Sequence, residues 1–170
     1  GQPAPIELVY RRFSDVKAKP IRWLWPDRIA CGKLTVIAGN PGLGKSQLTA
    51  GLAAIVSRGG PWPVENSRCE PGNVVILSAE DDAEDTIRPR LEAAGAELQS
   101  CFTLDAVRDV DESGKPYQRA FSLKRDLERL SSLLAELKNV RLVVVDPISA
   151  YPGDADSHKN GDIRALLAPL

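Results

Sequence analysis

Residues 39–46 have the types and spacing of a loop that binds phosphate groups. They read Gly39-Asn-Pro-Gly-Leu-Gly-Lys-Ser46, which fits the pattern G-x-x-x-x-G-K-S. Glycine lets the backbone turn several N–H groups toward a multiply anionic polyphosphate, and a helix that follows adds its own free N–H groups. Lys45 would supply a cation for the β- and γ-phosphates, and the Ser46 hydroxyl would hold Mg²⁺.

The surroundings of this loop favour a nucleotide site over an ordinary Gly-rich turn. An apolar run of strand length covers residues 34–38, and a helical pattern covers residues 44–57. With glycine near 7% of residues, the bare pattern arises by chance in roughly one chain of this length in a few hundred. The sequence therefore predicts a nucleoside triphosphate with Mg²⁺ at this loop. The predicted nucleotide contacts are Gly39, Asn40, Pro41, Gly42, Leu43, Gly44, Lys45, Ser46 and Gln47.

A second acidic position follows a later apolar strand. Residues 140–146 read Val-Arg-Leu-Val-Val-Val-Asp, the Walker B pattern of NTP sites. We expect Asp146 to lie across the sheet from Ser46 and to hold Mg²⁺ through water, so the predicted metal pair is Ser46 and Asp146. The alternative is a turn-forming aspartate, because Pro147 comes next.

The predicted catalytic pair is Glu80 and Lys45. Hydrolysis needs a positioned water and usually a carboxylate to orient or deprotonate it. Asp146 is followed by proline, so the carboxylate must come from elsewhere. Glu80 directly follows the apolar strand predicted at 73–79, and open α/β sheets bind ligands at the carboxyl ends of their strands. The alternative for Glu80 is a helix N-terminal carboxylate, and Asp81 and Asp82 are predicted as helix caps.

Alternating strands and helices predict an α/β fold with a doubly wound, mostly parallel sheet and helices on both faces. Strands are expected at 34–38, 73–79, 101–104 and 140–146, and helices at 44–57, at 83–94 with a bend or restart at Pro89, and from Ser122 onward. Helical spacing predicts two buried faces: Leu48, Leu52, Ile55 and Val56, then Leu123, Leu127, Leu130, Leu134 and Leu137.

The remaining segments give weaker signals. Residues 1–20 form a lead-in to which no chemistry is assigned, with a short strand expected at 6–10, and residues 21–170 form the core. Trp23 and Trp25 alternate, which predicts one packed and one outward ring, with an adenine platform as the alternative. Residues 59–72 are predicted as loop, 105–121 as an exposed hairpin or loop, and 151–161 as a polar loop before a helix from Asp162.

Composition predicts one soluble, cytoplasmic domain. The 170 residues carry 22 Lys and Arg against 23 Asp and Glu, so no global basic field indicates nucleic acid. The three cysteines are expected to be free thiols, and no run approaches the roughly 18 apolar residues of a membrane span. Because the chain holds no Met and ends within a helical pattern, we expect the native protein to continue beyond it.

Three blocks together resemble the RecA-type ATPases of the RepA hexameric helicase group and the RepA-like AAA proteins. They are residues 39–46, residues 77–82 (Leu-Ser-Ala-Glu-Asp-Asp) and residues 142–150 (Leu-Val-Val-Val-Asp-Pro-Ile-Ser-Ala). The resemblance implies an ATPase with the roles given above for Lys45, Ser46, Asp146 and Glu80, working as a ring of usually six identical subunits on DNA. It also implies ATP as the substrate and places Arg90 near the site. His158, Lys159 and Asn160 fall where a DNA-binding channel loop could lie, and a mobile surface loop is the favoured alternative.

In the resembling group, a sensor strand between the Walker strands and an arginine acting in trans would lie beyond Leu170, so these residues alone are expected to hydrolyse ATP slowly.

Two other classes of protein stay open beside the DNA motor. Balanced charge favours a KaiC-like regulatory ATPase, whereas the Ala-Glu-Asp-Asp block favours the RepA group. A small-molecule kinase is disfavoured because residues 105–121 hold only Arg108 and Arg119 for a lid.

Overall fold

The computed structural model describes residues 9–64, 66–123 and 125–147. Its helices are α1 (Lys45–Arg58), α2 (Arg88–Ala93) and α3 (Leu127–Leu137). Its strands are β1 (Trp23–Trp25), β2 (Ile29–Ala30), β3 (Asn73–Ser78), β4 (Cys101–Thr103), β5 (Val107–Val110), β6 (Pro116–Arg119) and β7 (Val140–Asp146). A π-helical turn, Ala83–Ile87, leads into α2, and 3-10 turns cover Phe13–Asp15 and Leu98–Ser100. Among the described residues, no helix combines the length and apolar character that crossing a bilayer requires.

The central sheet has three parallel strands in the order β4-β3-β7. Val75 in the middle strand pairs with Phe102 on one side and with Val143 on the other. The chain leaves β3 toward one side to form β4 and then crosses to the opposite side to form β7. The direction of winding therefore reverses between β3 and β7, and such a reversal opens a crevice at the carboxyl ends of the two strands.

Side chains of β3 alternate between two apolar layers. Val74 and Ile76 pack with α1 and α2, whereas Val75 and Leu77 pack with α3 and the β5–β6 hairpin. All four are buried, as expected of a strand covered on both faces. The predicted α/β class with a parallel sheet is confirmed, and helices lie on both sides of it.

The predicted strand at residues 34–38 is wrong. This segment pairs with no strand among the described residues, and its apolar side chains face outward, with Val36 70% exposed. Apolar composition favours a strand, but a strand forms only where a partner satisfies its backbone groups. Leu48 on α1 was expected in the core and is exposed as well, whereas Leu52 and Val56 of the same helix are buried.

The start of α3 also differs from the prediction. Ser122 was expected to cap the helix, but the N-cap is Asp126, and Leu123 lies before the helix as a buried residue. The Asp126 carboxylate accepts the Ser122 N–H at 2.9 Å, and the Asp126 N–H donates to the Ser122 carbonyl at 2.9 Å. This closed turn keeps Ser122 and Leu123 out of the helix. Leu130 and Leu134 are buried as predicted.

Other boundaries lie close to the predicted ones. α1 starts and ends one residue later than expected, and the π-helical turn gives way to α2 between Ile87 and Arg88, one residue before Pro89. Asp82 caps the π-helical turn by accepting the N–H groups of Glu84 and Asp85, as predicted. The hairpin alternative for residues 105–121 is confirmed by the antiparallel pairing of β5 with β6.

The tryptophan pair divides as predicted. Trp25 stacks on Trp62 with ring centroids 5.1 Å apart and planes 5° from parallel, while Trp23 is exposed. Leu24 between them is buried in the cluster that α1 also joins. This contact fixes the β1–β2 hairpin to the domain.

Several predictions fall on residues that the structure does not describe. They are the polar loop at 151–161, the helix from Asp162, and the channel residues His158, Lys159 and Asn160. The strand expected at 6–10 lies mostly outside the described residues, and residues 9 and 10 form no strand.

Candidate functional site

The glycine-rich loop ends in backbone conformations that require glycine. Gly42 and Gly44 have φ values of 79° and 81°, in the left-handed region. A Cβ at either position would meet no atom within 4 Å, so the conformation and not crowding makes glycine necessary here. Gly44 is the N-cap of α1, and its carbonyl accepts the first helical N–H, from Leu48, at 3.0 Å. The unpaired N–H groups of the first turn therefore face the loop.

Lys45 folds back over this loop. Its Nζ donates to the carbonyl oxygens of Gly39 and Asn40 at 2.9 and 3.0 Å. A carbonyl oxygen carries only a partial negative charge, so an anionic phosphate oxygen would be the stronger acceptor for the same ammonium group. The loop thus holds a cation beside the positive end of a helix, a combination that suits polyphosphate.

Ser46 and Asp146 meet although they lie 100 residues apart in the chain. The Ser46 Oγ donates to Asp146 Oδ2 at 3.0 Å, which joins the first turn of α1 to the last residue of β7. A hydroxyl and a carboxylate are oxygen ligands of the kind that Mg²⁺ takes, and Mg²⁺ commonly uses one or two protein groups with phosphates and water completing its shell. The donor set therefore fits a magnesium ion shared with a triphosphate.

Glu80 lies at the same end of the sheet. Ser78 pairs with Asp146 in the register of β3 and β7, and the Ala79 N–H donates to the Asp146 carbonyl at 3.2 Å. Glu80 follows directly and is exposed. The structure thus brings Lys45, Ser46, Asp146 and Glu80 to one edge of the sheet, at the crevice between β3 and β7. The role of Glu80 toward water stays a prediction.

A cleft beside Ser46 and Asp146 is bordered by a further ion pair. Arg90 on α2 pairs through Nη1 with Asp81 Oδ2, and both side chains are partly exposed. Asp81 was predicted to cap a helix. That prediction is wrong, because only Asp82 caps and the Asp81 carboxylate turns toward Arg90. Arg90 does lie beside the cleft, where the resemblance had placed it.

The sequence prediction missed two polar residues of the cleft. Thr49 and Ser78 line it, and the floor is formed by the apolar side chains of Ala50, Ile76 and Val144. The Thr49 Oγ1 donates to the Ser46 carbonyl at 3.0 Å, and the Ser78 Oγ accepts the Asp81 N–H at 3.1 Å. Their positions could have been found from spacing, since Thr49 is three residues after Ser46 on the helix and Ser78 is two before Glu80.

The other predicted nucleotide contacts surround the loop. Pro41, Leu43 and Gln47 are exposed, and Asn40 contributes its carbonyl to Lys45. None of them projects into the apolar part of the cleft, whose lining begins at Ser46. Their contact with a nucleotide stays a prediction.

A buried network of charges lies away from the cleft. Arg119 binds both oxygens of the buried Asp126 at 2.7 Å and also Asp109 at 2.8 Å. These hydrogen bonds lower the pKa of Asp126 to about 2 and raise the pKa of Arg119. Burial raises the pKa of the Cys69 and Cys101 thiols, so neither is a ready nucleophile at neutral pH. The Arg119 contacts join the hairpin to the start of α3, and neither they nor the two thiols line the cleft.

Comparison with protein families gives one match over almost the whole chain. The family described as an AAA domain matches residues 2–170. The match includes the loop at 39–46 and the acidic positions Glu80 and Asp146 at the carboxyl ends of β3 and β7.

Proposed function

The chain belongs to the AAA domain family of P-loop ATPases, and on that basis we propose that it is a RepA-like ATPase that binds ATP with Mg²⁺, hydrolyses it and acts on DNA. The family implies an ATPase-type, nucleotide-binding function. The observation that best supports magnesium-dependent hydrolysis in this chain is the 3.0 Å hydrogen bond between Ser46 and Asp146.

The loop and Lys45 would bind the phosphates. Lys45 would exchange the carbonyls of Gly39 and Asn40 for phosphate oxygens, and the first turn of α1 would direct its free N–H groups to the same charge. Ser46 and Asp146 would hold Mg²⁺, which when bound neutralises charge on the β- and γ-phosphates. Both residues are already in contact, so little rearrangement of the chain is needed.

Glu80 would orient the attacking water and accept its proton. It is exposed at the end of β3, beside the residues that would hold the phosphates, and the adjacent Ala79 is hydrogen-bonded to Asp146. A carboxylate in such a position contributes about 10²- to 10⁴-fold to the rate of a hydrolysis. The charge on Glu80 matters only for the chemical step, so its loss should leave ATP binding intact.

The substitution Glu80→Gln tests this assignment. We expect the variant to bind ATP with unchanged affinity and to hydrolyse it at least about 100-fold more slowly, because the amide cannot accept the proton. Glu84→Gln is the matched control, since Glu84 is an exposed carboxylate in the next turn. ATP binding by calorimetry and phosphate release with and without Mg²⁺ are the measurements. Wild-type turnover in Glu80→Gln would remove the residue from the mechanism.

Single-stranded DNA separates the two classes of ATPase. A RepA-like motor is expected to hydrolyse ATP faster when DNA is present, whereas a KaiC-like regulatory ATPase is not. The Ala-Glu-Asp-Asp block at 79–82 supports the motor. ATP turnover with and without a single-stranded oligonucleotide decides between them, and sedimentation with nucleotide tests the expected ring of six subunits.

A further inference from the structure

Positive charge is concentrated in the first part of the described chain. Residues 9–33, here called the basic arm, hold seven Lys and Arg against two Asp. All other residues together hold 15 Lys and Arg against 21 Asp and Glu, so the rest of the chain is acidic. A nearly neutral whole-chain charge therefore hides a strongly cationic segment, which an average over the sequence cannot reveal.

The cations of the arm are open to solvent. All seven basic residues are exposed, and among the described residues no ion pair engages the following six: Arg11, Arg12, Lys17, Lys19, Arg22 and Lys33. Arg28 lies over the Trp25 ring at 5.0 Å. Six cations close in sequence and without an acidic partner in this part of the structure make a site for an anionic partner.

Aromatic rings are interleaved with these cations. Tyr10, Phe13 and Trp23 are 91%, 93% and 39% exposed. Exposed rings beside exposed cations supply faces for stacking as well as charge. Apart from the turn at Phe13–Asp15, the backbone of residues 9–22 has no regular structure, and Arg12 and Val16 on either side of that turn are extended. The rings are therefore spread along a chain and do not share one helix face.

The base of the arm is attached to the domain. The Cys31 N–H donates to the Arg22 carbonyl at 2.9 Å, Leu24 is buried, and Trp25 stacks on Trp62. Leu24 and Trp62 belong to the same apolar cluster as Ala50 and Ala53 of α1, the helix that begins at Lys45. A ligand on the arm is thus held next to the element that carries the phosphate-binding loop.

We propose that the basic arm binds a single-stranded polynucleotide, with phosphates on the Arg and Lys side chains and unstacked bases on Tyr10, Phe13 and Trp23. Aromatic rings stack on any base, and cations follow the backbone, which is how strands are bound without sequence preference. A duplex hides the faces of its bases and leaves the rings unused. An anionic membrane would require a helix with its rings on one side, which the arm does not form. An acidic protein partner would explain the positive charge of the arm but not its exposed rings.

This surface adds to the proposed function without resting on it, since its binding is measured in the absence of ATP. The experiment uses the full chain and fluorescein-labelled oligonucleotides of thymidine and of uridine, about 20 nucleotides long, read by anisotropy. Because both oligonucleotides share the same backbone charge and unstacked bases, a difference between their affinities separates DNA from RNA as the ligand.

The triple substitution Arg11→Ala, Arg12→Ala and Lys17→Ala tests the cations. Each phosphate contact on a single strand contributes about −0.7 to the slope of log K against log salt, so losing three should reduce that slope by about 2. The matched control is Arg108→Ala, Lys115→Ala and Arg125→Ala, which removes the same charge from exposed positions elsewhere. An equal loss of affinity in this control would overturn the proposal, because the effect would then be one of net charge.

The substitution pair Tyr10→Ala and Phe13→Ala tests the rings. Removing stacking partners should weaken binding by at least about tenfold, since each stacked base is worth about one to three kcal/mol and 1.4 kcal/mol is tenfold. Tyr117→Ala, another exposed ring, is the control. Unchanged affinity, equal binding of a duplex of the same length, or binding of phosphatidylserine vesicles in place of oligonucleotides would each refute a single-stranded ligand. Thermal unfolding confirms that all variants stay folded.

Discussion

Arg90 contacts an acidic side chain and also borders the cleft, so a bound phosphate could compete with that acid for the guanidinium group. It pairs with Asp81 in the structure, and it borders the cleft next to Ser46 and Asp146. A bound triphosphate would bring more negative charge to the guanidinium than one carboxylate does, and Arg is suited to planar, multiple contacts with phosphate. Asp81 would then act as a positioning group that holds Arg90 at the cleft.

We predict that Arg90→Ala binds MgATP about 10- to 100-fold more weakly, because a hydrogen bond to a charged group is worth about 1.5 to 3 kcal/mol. Arg90→Lys should recover part of that affinity, since it keeps the charge. The control is Arg88→Ala on the same helix, whose exposed pair with Glu92 is of a kind that contributes little. Calorimetric titration with MgATP measures the difference. If Arg88→Ala binds MgATP as weakly as Arg90→Ala does, the position of Arg90 at the cleft has no special part in binding.

Sequence could supply the residues of the loop but not the pair beside it. Lys45 and Ser46 follow from a pattern eight residues long, in which spacing alone sets the conformation. Asp146 could be identified as an acidic residue at the end of an apolar run of strand length. Asp81 and Arg90 are nine residues apart, across a turn whose π-helical geometry no local rule supplies. Their contact depends on how α2 packs against the sheet.

At the scale of elements, the N-terminus of α1 sets the shape of the site. Its cap is Gly44 in a left-handed conformation, with open space where a side chain would begin. The same helix has a second glycine, Gly51, in its interior and also without a close neighbour. The two glycines therefore differ only in backbone conformation, which makes them a matched pair.

We predict opposite effects of alanine at these two positions. Gly44→Ala should lower the free energy of unfolding by about 1 to 2 kcal/mol, the cost of a left-handed conformation for an L-residue. Gly51→Ala should raise it by about 1 kcal/mol, because alanine is the better helix former. Urea denaturation followed by circular dichroism measures both. A stabilised Gly44→Ala would mean that the loop adopts another conformation, and the site would need to be redrawn.

Elements that depend on neighbouring residues in the sequence could be predicted, and elements that depend on contacts with distant parts of the chain could not. The strands β3 and β7 and the cap at Asp82 follow from apolar runs and from an acid before a helix. Residues 34–38 have the composition of a strand, yet composition cannot provide a pairing partner. Ser122 is a good cap by type. Asp126, four residues later, is the N-cap instead, because its carboxylate forms a buried contact with Arg119.

At the scale of the whole molecule, that buried contact ties two layers together. Asp126 precedes α3, and Arg119 ends β6 of the exposed hairpin, so their ion pair joins the hairpin to the helix. Arg129 and the Ser122 N–H complete the partners of the carboxylate. A fully buried carboxylate is tolerated because all of its oxygen lone pairs face donors.

Stability should therefore fall in acid over a defined range. The pKa of Asp126 is about 2 in the fold, chiefly because of Arg119, and lies near 3.9 in an unfolded chain. A lowered pKa stabilises the fold above the unfolded value, so this contribution of roughly 2 to 3 kcal/mol is full above about pH 4 and is lost as the pH falls toward 2. Chemical denaturation at several pH values follows the change.

We predict that Asp126→Asn lowers the free energy of unfolding by about 3 kcal/mol at pH 7, because it leaves Arg119 without its buried partner. The difference between variant and wild type should shrink between pH 4 and pH 2. Glu112→Gln, an exposed carboxylate at the tip of the same hairpin, is the control and should track the wild type. A difference that stays constant over this range would show that the charge of Asp126 is not what the fold uses.

The reversal of winding between β3 and β7 has a practical consequence for altering the protein. The β5–β6 hairpin belongs to the connection from β4 to β7, on the layer opposite α1 and α2. Its tip at Ser113 and Gly114 is exposed, and Gly114 has free space around it. A fluorescent tag or a whole guest domain spliced into this tip would therefore lie on the layer opposite the helix that carries the phosphate-binding loop, and the engineered protein should keep the nucleotide turnover of its parent.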